Sequence, residues 1–115
     1  MYILHWGERM RWLIKKLDRE GKIHVGILMA LKKRLIYIYD EYANGFGDIQ
    51  ELIDLIESHK DLKTLFAYWI ADKVQDNLIN FSIHDFTGLN GKFAPYKEDL
   101  HTTVEEFYKE LIRAI

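Results

Sequence analysis

Apolar residues recur every three or four positions along most of the chain, a spacing that lines one face of a helix. The clearest run extends from about Asp61 to Phe81. Leu62, Leu65, Phe66, Trp69, Ile70, Val74 and Leu78 share one face, and Lys63, Asp72, Gln75 and Asp76 fall largely on the other. The stretch before it, about Asp48 to Ser58, repeats the pattern with Ile49, Leu52, Ile53 and Ile56. Asp48 is the expected N-cap, and Glu51 three residues later completes a capping-box pattern. Ser58-His59-Lys60-Asp61 then reads as a short turn, which predicts an antiparallel helix pair.

Two more helices are legible. Met10, Leu13, Ile14 and Leu17 form a stripe near the start, ended by Glu20-Gly21. At the other end, Leu100, Val104, Phe107, Leu111 and Ile115 predict a helix over about Asp99 to Ile115, capped by Asp99 or Thr103. The stretch from Ile23 to Tyr42 reads two ways. Leu28, Leu31, Leu35, Ile38 and Tyr42 keep a helical period, whereas the β-branched and aromatic residues at 22–26 and 35–39 suit strands. Asn44-Gly45-Phe46-Gly47 breaks the chain after it. Asn80 to Lys97, with two glycines, the only proline and a tight Asn90-Gly91 turn, reads as a long structured loop. The expected fold is all-α, a compact antiparallel bundle of four to five helices with that loop before the last helix. The alternative is α+β, with strands within 22–40.

Length and composition narrow the picture. The 115 residues suit one domain, 1–115, large enough to bury a core. The absence of cysteine excludes disulfides, thiolate zinc sites and cysteine nucleophiles. The longest apolar stretch, Val25 to Leu31, falls far short of a bilayer span, and nothing near the start resembles a secretory signal. No membrane association is expected, and the expected compartment is the cytoplasm.

The formal net charge of −2 conceals a split. Residues 1–34 carry nine bases and three acids, a net +6, and residues 35–115 carry −8. Asp40 to Asp61 is the most acidic stretch. Its acids at 48, 51, 54 and 57 each step back about 60° around a helix, so they form a slowly winding outer stripe.

Few constellations carry chemistry. The five histidines lack the i, i+3 or i, i+4 pairing of a helical zinc site, and His84, Asp85 and His101 would converge only through a folded-back loop. Ser82, His84 and Asp85 hold the letters of a hydrolase triad without its geometry or a nucleophile elbow. Gly45-Phe46-Gly47 and Gly88-Leu89-Asn90-Gly91 lack a phosphate-binding context. Arg19 and His24 have the Arg-x4-His spacing of HEPN ribonucleases, a resemblance of two residues. That family places the motif on a helix, whereas Gly21 lies between the two here, and the resemblance is not carried into the expected function. No metal site and no cofactor are expected.

The expected function is that of a non-enzymatic protein-binding module, a small acidic inhibitor that blocks a basic toxin or nuclease. In size, acidity and lack of catalytic motifs the chain is similar to bacterial immunity proteins. Asp48, Glu51, Asp54, Glu57 and Asp61 would steer the cationic partner, with Tyr42 as aromatic anchor. Asp72, Asp76, Tyr37, Tyr39 and Tyr68 would enlarge that surface. Two alternatives use the basic third. Arg9, Arg11, Lys15, Lys16 and Arg19, interleaved with Trp6 and Trp12, would bind nucleic acid. The oppositely charged portions would otherwise pair between copies in a homo-oligomer.

Overall fold

Burial of one apolar face per helix determines the architecture. The computed structural model describes residues 6–77 and 97–115. Its elements there are α1 (Trp6–Arg19), α2 (Val25–Ala43), α3 (Ile49–Ser58), α4 (Lys60–Asn77) and α5 (Lys97–Ala114). The fold is all-α and the helices pack as a bundle: α5 lies along α1 and touches α2 and α3, and α3 packs on α4.

The strand alternative within 22–40 is overturned, because residues 25–43 form one continuous helix. Its inward line is the predicted one: Leu28 and Leu35 are buried, and Leu31, Ile38 and Tyr42 are half-buried against the core. Three further expectations are corrected. A single extended residue, His59, separates α3 from α4, so the expected turn at 58–61 shrinks to one position. The carboxylate of Asp48 caps α3 by accepting the amide of Gln50 at 3.3 Å, not through a reciprocal box with Glu51. Asp99 and Thr103 both lie inside α5, which begins at Lys97, so neither is its cap. The expected loop at 80–96 and the end of the predicted helix at 78–81 lie outside the described residues.

The centre of the core is aromatic. Phe66 meets Phe107 edge-on at 5.0 Å between ring centroids, and Trp69 lies 5.3 Å from Phe107. Its polar atoms are satisfied within the bundle. The indole of Trp69 donates to Glu110 Oε1 at 3.0 Å, and the hydroxyl of Tyr108 donates to the Leu52 carbonyl at 2.7 Å. Burial of Tyr108 pushes its hydroxyl pKa well above the usual phenol value.

Two helix ends use the same backbone device. After α1, the amide of Gly21 donates to the Asp18 carbonyl and that of Lys22 to the Leu17 carbonyl, with Gly21 at φ 75°. After α2, Gly45 donates to Tyr42 and Phe46 to Glu41, with Gly45 at φ 82°. Both are Schellman motifs, in which a left-handed glycine satisfies the last helical carbonyls.

Candidate interaction surface

The surface begins at the corner between α2 and α3. Ile49, Leu52, Ile53, Leu55 and Ile56 bury one side of α3. The opposite side is therefore left to Asp48, Glu51 and Asp54, all exposed, with Glu57 half-buried at its edge. Gln50 Nε2 donates to Asp54 Oδ1 at 2.9 Å and holds that carboxylate in place. The acidic stripe read from spacing is thus present over residues 48–54.

Two of the expected contact residues are corrected. Asp61 is only 7% exposed. Its Oδ2 accepts the His24 amide at 3.2 Å, which ties the start of α4 to the corner before α2. It is a structural acid, because its neighbours bury it and its acceptor is already used. Tyr42 is half-buried, and its hydroxyl donates to Glu105 Oε1 on α5. That bond, with burial second, pushes the Tyr42 pKa up to about 12. Its ring packs on the core and is not free to anchor a partner.

The exposed aromatics at this corner are Phe46 and Tyr37, 82% and 65% exposed. Phe46 N donates to the Glu41 carbonyl at 2.9 Å and Gly47 N to the same oxygen at 3.2 Å, so the backbone under the ring is fixed. A Cβ on Gly47 would lie 3.1 Å from Tyr42 N, which explains the glycine there. Spacing alone misses Phe46. Its signal is an aromatic between two glycines whose neighbours at three and four residues, Tyr42, Ala43, Ile49 and Gln50, do not form a stripe with it. Of the other tyrosines expected to enlarge the surface, Tyr39 stacks on Tyr108 and Tyr68 lies under Lys22 Nζ at 4.7 Å. Asp72 is bound to Arg9 at 2.7 Å, and the side chain of Asp76 lies outside the described residues.

Much of the basic third is engaged within the bundle. Besides Arg9, Arg11 donates to the Arg113 carbonyl at 3.3 Å, and Lys32 on α2 donates to the Ile115 carbonyl at 2.8 Å. Both cations meet the negative end of α5, where they offset its dipole and its unpaired carbonyls. Lys16 Nζ lies 5.1 Å over the Trp12 ring. Lys15 and Arg19 are exposed and face outward.

No group of three or more potential metal ligands occurs among the described residues. His84 and Asp85 lie outside them, and His101 is exposed. Arg19 ends α1 and His24 precedes α2, with the Gly21 turn between, so the Arg-x4-His spacing spans a corner. No helix among the described residues is long and apolar enough to cross a membrane. The chain matches no protein-family model, no curated protein and no solved structure.

Proposed function

We propose that the protein is a non-enzymatic protein-binding module, a small acidic inhibitor of the immunity or antitoxin type that holds a basic toxin or nuclease. The observation that supports this reading is the exposed face of α3, where Asp48, Glu51 and Asp54 stand together over a buried apolar side. Carboxylates fixed on a rigid helix attract a cationic surface from a distance and orient it on arrival. Phe46 at the adjoining corner offers a large apolar group beside them. Glu57 contributes at the rim; Asp61 and Tyr42 act through the fold that holds the face.

The test is association with a panel of purified basic nucleases and toxin domains, followed by surface plasmon resonance. A partner is expected to associate at least about tenfold faster at low than at high salt. Glu51→Lys with Asp54→Lys should slow association by a similar factor and flatten the salt dependence. An association rate unchanged by both substitutions would remove this face from the contact.

A further inference from the structure

Six large apolar side chains stand exposed among the described residues: Trp12, Val25, Ile27, Met29, Tyr37 and Phe46. All but Trp12 belong to α2 or to the turn that ends it. Exposed apolar residues scattered singly need no explanation, but this concentration on one helix does. The charges on the same helix are ordered. Lys33 and Arg34 lie one turn before Tyr37, and Asp40 and Glu41 one turn after it. Lys33, Arg34 and Asp40 are exposed and Glu41 half-buried, while Leu28 and Leu35 turn inward.

We propose that α2 pairs with α2 of a second copy of this chain, antiparallel, about a two-fold axis through Tyr37. In such a pair, residues equally distant from Tyr37 on opposite sides come level. Lys33 and Arg34 then face the partner's Asp40 and Glu41, within a single residue's rise of about 1.5 Å. The same happens symmetrically on the other side. A parallel pair would place like charges together, so the charge order selects one orientation. Phe46, just past the helix end, lies about 13.5 Å from the centre at helical rise, one residue's rise beyond the level of the partner's exposed Met29. Phe46 and the partner's Met29 thereby come close at each end, and the two tyrosines meet at the axis.

The interface uses the same patch on both copies and closes as a dimer. A helix of 19 residues pairing along its length covers on the order of 1,000 Å² in total, the lower edge of specific interfaces, so a weak, concentration-dependent dimer is expected.

Sedimentation equilibrium of the whole chain from about 5 to 500 μM tests this. The wild type should shift from 13.7 kDa toward about 27 kDa with concentration. Lys33→Glu with Arg34→Glu, and separately Asp40→Lys with Glu41→Lys, should each weaken the dimer at least about tenfold. An equimolar mixture of these two double variants should restore it, because the all-acidic face then meets the all-basic one. Circular dichroism of each variant confirms that it is helical. Tyr37→Arg gives the same reading should either double variant fail to fold. A wild type that stays at 13.7 kDa throughout, or a dimer indifferent to these substitutions, overturns the proposal. All the substitutions leave Glu51 and Asp54 in place, so their outcome is separate from binding of a basic protein by α3.

Discussion

The corners after α1 and after α2 are built on one backbone plan and differ in what they do with their apolar residue. After α1, the chain passes through Gly21 and buries Ile23 to 1% exposure. Side chains then hold the corner shut: Asp18 accepts the Val25 amide at 3.1 Å, and Asp61 accepts that of His24. Lys22 joins Glu20 at 3.1 Å and lies over Tyr68; the Tyr68 hydroxyl, then Glu20, pushes its pKa up. After α2, the same hydrogen bonds place Phe46 where Lys22 stands after α1 and Gly47 where Ile23 stands, so the corner's apolar ring is left in solvent. A Schellman turn commonly packs the residue after its glycine against the last helical turn. Here that turn offers Glu41 and Asp40, which give an aromatic ring nothing apolar to rest on. Backbone chemistry therefore fixes a corner; side-chain neighbours decide whether it becomes core or contact surface.

The contrast can be broken at several points. The largest expected effect is at Ile23→Ala, which should destabilise by about 2–4 kcal/mol, the usual cost of emptying a buried aliphatic site. Phe46→Ala should stay within about 0.5 kcal/mol, as for an exposed side chain. Chemical denaturation of dilute protein measures both. Next, Asp61→Ala leaves the His24 amide without its acceptor and should cost about 1–3 kcal/mol. Glu51→Gln, on the exposed acidic face, should cost far less. Gly21→Ala and Gly45→Ala place a Cβ at positive φ, and each should cost about 1 kcal/mol, because the backbone is the part the corners share.

The smallest effect is one of pH. The folded protein holds the Tyr42 hydroxyl neutral up to about 12, above its unfolded value near 10. Its contribution is therefore complete below pH ~10 and is lost as pH rises through ~12, since only the unfolded chain ionises readily in that window. Stability should fall over that range, and Tyr42→Phe should soften the fall. Denaturation midpoints across the range, alongside tyrosinate absorbance, check both.

Helix identity was legible wherever apolar period and burial coincided, as in Leu52, Ile53 and Ile56 of α3 or Met10, Leu13, Ile14 and Leu17 of α1. It blurred in α2 for a physical reason. Val25, Ile36, Tyr37, Ile38 and Tyr39 are the β-branched and aromatic side chains that strands prefer, whereas the helical line of Leu28, Leu31, Leu35, Ile38 and Tyr42 is the one that packs on the core. The acidic face was readable from three-residue spacing because α3 is exposed on that side. Asp61 and Tyr42 were misassigned because their partners, His24 and Glu105, lie 37 and 63 residues away. No local pattern shows such a long-range bond, and none announces Arg11 and Lys32 as supports for the end of α5.

The central claim is that the turn after α2 presents Phe46 for contact and does not use it for folding. Phe46→Ala measured in two assays tests it most directly. The expected result is an unfolding midpoint unchanged in dilute solution and self-association weakened at least about tenfold in sedimentation. A lowered midpoint with association intact would contradict it.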